Sequence, residues 1–380
     1  MKNQYVLLTG GKNNAGDHLI KLRAKQLFNW IRPDIRILDL NGWEKLSDAD
    51  LEEVNRSKAL ILTGGPALQN RMFPNVYALR ENLDEIKVPI LTMGIGWYSH
   101  KGEWKDTHNY TLDENSLILL EKVNNSGYMS SVRDYHTLNI LHSLGMKNFL
   151  MTGCPALYSQ DHIGTKFLNR FQVKKIAYSL GVSMKMSKSM YTQMQNVLLT
   201  IRNLFPQAEI EVVFHHSPTE TYLKTHGANK ALYEVQKKYI SWLINNQFNY
   251  IDISGSAKNL VNYYSNVDFH IGYRVHAHIF MSSISKPSVL LSEDGRGKAL
   301  EKVLGGVILD AYTHVTNSLL FKVLNKLSIN MDNYISNHFL EEDLRSIISY
   351  ELEYGVKFSQ PRLEINRHFN TMKMFIEQLP

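Results

Sequence analysis

A single cysteine, Cys154, in 380 residues leaves no partner for an internal disulfide and no companions for a thiolate metal site. Redox frameworks and zinc ribbons are therefore excluded, and Cys154 reads as a small buried residue in a turn. No run approaches the roughly 18 consecutive apolar residues a membrane span needs. The first strand-like run, residues 5–9, meets a glycine turn too soon to be the apolar core of a secretion signal, so a cytoplasmic location is expected. Lysine or arginine runs of five to eight residues, RNP-type aromatics and Cys/His finger spacings are all missing, so no nucleic-acid partner is expected. Neither the dinucleotide fingerprint nor the P-loop is present, and NAD and ATP find no support. No cofactor is expected. Low-complexity tracts and short-period repeats are also missing, which sets aside solenoids and propellers.

What is there is a chain able to bury two cores, with 44% hydrophobic and 21% charged residues. Its length suggests two domains of roughly 150 to 200 residues each. Forty-two Lys and Arg against 36 Asp and Glu leave a net charge of +6. That balance favours an anionic partner: a phosphate-bearing small molecule, an acidic polymer or the anionic inner face of a membrane, touched peripherally.

Short β-branched and apolar runs alternate with amphipathic stretches up to about residue 310, the pattern of strand-helix-strand units around parallel sheets. Strands are expected at 5–9, 35–40, 59–63, 89–93, 128–132 and 149–151, then at 176–180, 209–214, 250–253, 267–271 and 288–291. The expected fold is α/β, with two doubly wound Rossmann-like domains at 1–165 and 174–330 and a helical C-terminal tail at 331–380 bracing them.

In such sheets ligands bind at the carboxyl ends of the strands. Glycine turns stand there at Gly10-Gly11, Gly64-Gly65, Gly94-Ile95-Gly96 and Gly153-Cys154. Gly16 and Asp17 open the first helix, whose amides can hold an anion or a sugar hydroxyl, although Asp17 also fits a plain helix-N-terminal charge. The long loop 94–110 carries Trp97, Tyr98, His100, Trp104 and His108, aromatics suited to stacking on a sugar ring or to forming a lid. The sharpest group is Arg274-Val275-His276-Ala277-His278, where a buried strand passes into a helix. Arg274 offers a planar fork for a carboxylate or phosphate, and His276 titrates near neutrality and can hand on a proton. The histidines 270, 276 and 278 are six and two apart, which is not metal-ligand spacing on a helix, so no metal is expected. Arg133, at another strand end, can meet the same anion or pair with Asp134. Arg296 and Lys298, between glycines after a late strand, form either an anion cradle or a solvated cap.

These residues carry a resemblance. Gly16-Asp17, Gly64-Gly65, Gly94-Ile95-Gly96, Ser131-Val132-Arg133-Asp134 with Leu141-His142-Ser143-Leu144-Gly145, and above all Arg274-Val275-His276-Ala277 with Lys286-Pro287, make the chain similar to the polysaccharide pyruvyl transferase family over residues 8–305. The resemblance implies a GT-B-like pair of Rossmann-like domains facing across a cleft. It implies an enzyme that moves the enolpyruvyl unit of phosphoenolpyruvate onto a sugar of a cell-surface polysaccharide, or its lipid-linked precursor, as a cyclic ketal. Arg133, Arg274 and His276 match the family's phosphoenolpyruvate site, with Arg296 and Lys298 as further donor contacts. Asp17 would be the base on the acceptor, with Gly16, Trp97 and Tyr98 beside it in the N-terminal domain. The departures are Gly153-Cys154-Pro155 and Ser292-Glu293-Asp294-Gly295-Arg296, where the family more often has an aspartate and a Tyr-Lys pair. A glycosyltransferase using a nucleotide sugar on the same architecture is the alternative.

Overall fold

The computed structural model describes residues 2–11, 14–167, 172–185, 187–226, 230–314 and 334–380. Lys12 and Asn13 of the first glycine turn, residues 168–171 of the expected linker, and 315–333, across the expected join of second domain and tail, lie outside the described residues.

The first half runs β1 (Gln4–Thr9), α1 (Ala15–Ile31), β2 (Arg36–Asn41), α2 (Asp48–Arg56), β3 (Ala59–Thr63), α3 (Met72–Asn75), β4 (Ile90–Met93), α4 (Glu114–Asn124), β5 (Ser130–Val132), α5 (Tyr135–Ser143) and β6 (Phe149–Met151). The second half runs β7 (Lys175–Ser179), α6 (Lys188–Leu204), β8 (Glu209–Phe214), α7 (Glu220–His226), α8 (Lys230–Asn245), β9 (Asn249–Asp252), α9 (Ala257–Ser265), β10 (Phe269–Gly272), α10 (Val275–Ser283), β11 (Ser288–Ser292), α11 (Gly295–Leu304) and β12 (Val307–Asp310). A short antiparallel pair, β13 (Tyr312–His314) and β14 (Tyr334–Ser336), precedes α12 (Leu340–Tyr354) and α13 (Val356–Glu377). Each expected strand forms within two residues of its expected bounds. β12 was not anticipated.

Strand order in the first half is β2-β1-β3-β4, all parallel. The β5-β6 pair continues that sheet, because Gly94 N–H donates to Ser131 O at 3.0 Å and Arg133 N–H to Ile95 O at 2.8 Å. In the second half the order is β12-β11-β10-β7-β8-β9, again parallel. Both are doubly wound, so each has a point where successive strands leave in opposite directions and a crevice opens. That point lies between β1 and β3 in the first half and between β7 and β10 in the second.

The buried strands read as unbroken apolar runs because helices cover both faces. β1 (QYVLLT) is buried along its whole length between β2 and β3. The core of the first half extends across the seam to α9, α10, α11 and α13 through Leu260, Ala277, Phe280, Leu300 and Met372. A second core lies on the far face of the second sheet, under α6, α8 and α12. Helix α10 is buried from His276 through Ser283, so its Ile279-Phe280-Met281 face has no polar side to show, as befits a helix packed all round. Helix α13 touches both halves: Phe358 meets Phe269 of β10, and Phe369 stacks on Trp30 of α1 at 4.8 Å. No helix among the described residues is long and apolar enough to cross a membrane.

Candidate active site

The crevice of the first half is a hollow of about 250 Å³ between the ends of β1 and β3, lined by Gly10, Gly11, Gly64, Gly65, Gln69 and Asn75 among others. Asp17 enters it from the first turn of α1, whose start is fixed by the Asn14 side chain accepting the Gly16 N–H at 3.0 Å. Its Oδ1 is buried and finds no hydrogen-bond partner among the described residues. Burial pushes the carboxyl up to about 6, against the pull of Arg133, Arg296 and Asn14.

The crevice of the second half is built from side chains. Gly272 ends β10 pressed against Ser179 of β7, whose Oγ accepts the Arg274 N–H at 3.1 Å and hydrogen-bonds His270 Nε2 at 2.8 Å. Arg274 stands at the N-cap of α10 with extended backbone and makes no capping bond, so its side chain is free to reach outward. Its Nη2 lies 3.1 Å from His216 Nδ1, and its Nε is buried without a partner among the described residues. Two residues on, His276 is buried with Nε2 also unpartnered. Burial first, then Arg133, Arg296 and Arg274, push His276 down to about 3, so the imidazole is neutral.

The halves meet at these groups. His276 lies so close over Gly16 of α1 that a Cβ there would overlap the ring. Arg133, carried between β5 and α5, lies equally close on Gly96 at the end of β4. Its Nε is 3.5 Å from Asp134 Oδ2, and its Nη2 is buried without a partner among the described residues. Asp134 caps α5, its Oδ1 accepting from Thr137 N–H and Oγ1–H at 2.8 Å each. Arg133, Arg274 and Arg296 all bear on His276, and Arg133 and Arg296 also on Asp17. Four side chains, two from each half, thus present polar atoms unpaired among the described residues at one seam.

The sequence model of the polysaccharide pyruvyl transferase family matches residues 14–295, a span that takes in Asp17, Arg133, Arg274 and His276. The chain belongs to that family. No curated protein matches it. Among solved structures, a UDP-GlcNAc 2-epimerase from Neisseria meningitidis bound to UDP-GlcNAc is similar at 9% identity, covering 97% of each chain with a TM-score of 0.52. A putative UDP-N-acetylglucosamine 2-epimerase from Listeria monocytogenes is similar at 12% identity, covering 100% of this chain and 98% of that one with a TM-score of 0.50. At such identities the likeness shows the GT-B fold alone.

In this pyruvyl transferase family member the other expected site residues are placed unequally. Arg296 is at the seam, but Asp294 occupies its guanidinium, with Nε at 3.0 and 2.9 Å from the two carboxylate oxygens and Nη2 at 2.6 Å. It brings positive charge to the cluster rather than a free fork. Lys298 is not brought there: it faces Asp310 at 3.4 Å, in a separate hollow of about 200 Å³ with Lys101 and Glu103. Trp97 corrects an expectation, because it is 0% exposed and stacks on His136 at 5.1 Å, where no sugar can reach it. Its neighbour Tyr98 is 40% exposed, with its hydroxyl 3.3 Å from His100 Nε2. His270 and His278 both bond Ser288 Oγ, at 2.7 and 2.8 Å, inside the protein and away from the cleft. Cys154 is buried in its turn, and burial pushes its thiol up to about 11. His216 was missed, although His215-His216 directly follows β8 at a strand end, the position that drew attention to the other candidates.

Proposed function

We propose that the seam is the transfer site of a ketal pyruvyl transferase, with phosphoenolpyruvate held between Arg274 and His276 of the second half and Arg133 of the first, and a sugar of a polysaccharide or its lipid-linked precursor in the first-half hollow beside Asp17. The observation that carries this reading is the set of polar atoms left without partners among the described residues: Arg274 Nε and His276 Nε2 from the second half, with Arg133 Nη2 and Asp17 Oδ1 from the first. A buried group left unpaired costs roughly 1–3 kcal/mol, so four at one place mark a site completed by a ligand. The donor set is cationic, as a trianion with a carboxylate and a phosphate requires, and the hollow lined by Asp17 is glycine-walled, which suits a hydroxyl-rich ring.

Chemistry follows from that division. Arg133 and Arg274 clamp the carboxylate and the phosphate. Asp17 accepts the proton of an acceptor hydroxyl as its oxygen bonds to the central carbon of phosphoenolpyruvate, while the methylene takes a proton and becomes a methyl group. The bond to phosphate then breaks, and a second hydroxyl of the same sugar closes the ring. Of the two hydroxyl protons one is balanced by the new methyl C–H and the other leaves with hydrogen phosphate. His276 is neutral while three guanidiniums bear on it unopposed. The arriving trianion offsets them, raises the proton affinity of the imidazole and lets His276 act as the acid. Arg296, held by Asp294, contributes field rather than contact.

The test is the change in melting temperature on adding phosphoenolpyruvate to the parent protein and to Arg274→Ala, with UDP as control. At about a hundred times its dissociation constant the ligand stabilises by roughly 2.7 kcal/mol. The expected result is a shift in the parent that disappears in the variant. A shift with UDP and none with phosphoenolpyruvate would overturn the reading in favour of a nucleotide-sugar glycosyltransferase.

A further inference from the structure

Arg274 is the side chain on which the donor site turns, and something must hold a long guanidinium in one orientation. Among the described residues its one hydrogen bond from the guanidinium is to His216, Nη2 to Nδ1 at 3.1 Å. A guanidinium has N–H donors and no acceptor, so His216 Nδ1 must be the acceptor and the proton of the neutral ring must sit on Nε2. The loop that carries His216 is pinned independently. Gln236 of α8 donates to the His216 carbonyl at 3.3 Å, and the adjoining His215 bonds Tyr264 of α9 at 2.8 Å through its Nε2.

The charges facing His216 agree with a neutral ring. Arg274 comes from the β10–α10 junction, Arg296 from α11 and Lys185 from the turn after β7, and no carboxylate is among the groups bearing on it. Burial and these three cations push His216 down to about 3. The ring therefore keeps its acceptor at neutral pH.

We propose that His216 is a positioning residue for the donor anion: as the Nε2–H tautomer it ties down one corner of Arg274 and leaves the Nε–H aimed, unpaired, at the seam. The inference rests on the donor-site reading above. A hydrogen bond to a charged group of this kind is worth about ten-fold or more in affinity.

Two measurements separate the inference from that reading. Calorimetric titration of phosphoenolpyruvate into the parent, His216→Ala and His216→Asn should show about ten-fold or weaker binding for alanine. Asparagine, whose Oδ1 replaces Nδ1, should recover most of it, with the ligand-free melting temperatures alike. Asparagine as weak as alanine, or alanine as tight as the parent, would overturn the inference. ¹⁵N spectra of histidine-labelled, ligand-free protein, with the His216 signal identified by its loss in His216→Asn, should show the Nε2–H tautomer from pH 5 to pH 8. An imidazolium or the Nδ1–H tautomer in that range also overturns it. If the parent binds no phosphoenolpyruvate at all, the donor-site reading fails, and the spectra alone decide whether His216 holds Arg274.

Discussion

The two crevices occupy equivalent places, each at the carboxyl ends of strands where a doubly wound sheet changes direction, yet they are furnished in opposite ways. Between β1 and β3 the walls carry Gly10, Gly11, Gly64 and Gly65, the hollow measures about 250 Å³ and the one charged side chain among the described lining residues is an acid. The space at the seam beside Arg133 of the first half and Arg296 of the second is nearly shut, at about 10 Å³, and the polar groups that the second half brings to the seam are guanidinium and imidazole, on Arg274, Arg296 and His276. Backbone amides and an acid suit many hydroxyl-bearing rings, whereas a fixed array of cations suits one small anion. The difference teaches that one fold element can provide either breadth or exactness, according to whether glycine or arginine follows the strand.

That contrast can be broken most severely on the cationic side. Arg133→Ala should lower kcat/KM about 10²- to 10³-fold, the usual loss when a donor fixed on developing charge is removed, and steady-state kinetics with phosphoenolpyruvate would show it. A loss below about ten-fold would mean that the anion does not lie against Arg133. On the acidic side, Asp17→Asn should cost about 10²-fold or more in kcat as a proton acceptor is lost. It should also stabilise the fold. The carboxyl of Asp17 is raised above its unfolded value, so the stability it contributes is present below about pH 4 and lost as pH rises through about 6. Above pH 6 the variant should therefore be more stable than the parent by up to about 3 kcal/mol, and below pH 4 the two should be alike. Melting curves across pH would decide it, and a variant less stable at pH 7 would show that the ionised acid is supported by the fold. The smallest effect is expected from Lys298→Ala, a change in KM of less than about two-fold, because that side chain faces Asp310 and not the anion. A ten-fold rise would return Lys298 to the donor site.

Much of this arrangement is legible in the sequence, and the places where reading stopped have physical causes. Strands announce themselves as apolar runs ending in glycine, so their carboxyl ends and the residues placed there could be named. β12 escaped because it is four residues at a sheet edge, half-buried and ending in Asp310. Arg274 and His276 are two apart and share the seam, while Arg296 and Lys298, also two apart, do not. Arg274 is an N-cap with extended backbone, free of the helical repeat. Arg296 and Lys298 both lie inside α11, where two residues turn the side chain by about 200° and send it to the opposite face. Trp97 misled because the direction of a loop is set by what it packs on: its backbone N–H donates to Thr137 Oγ1 at 2.8 Å, and the indole turns inward onto His136 of α5.

The closeness of the halves has a mechanical side. His276 rests on Gly16, the Gly295 N–H bonds Ser99 O at 3.0 Å, and Arg133 and His276 are buried while Arg274 is half-buried. The space beside Arg133 and Arg296, about 10 Å³, is too small for phosphoenolpyruvate unless those surfaces part. If the proposed transfer takes place at this seam, opening and closing of the halves becomes part of each turnover, and a ligand that ties the halves together while filling neither crevice should inhibit as one that competes for the arginines does.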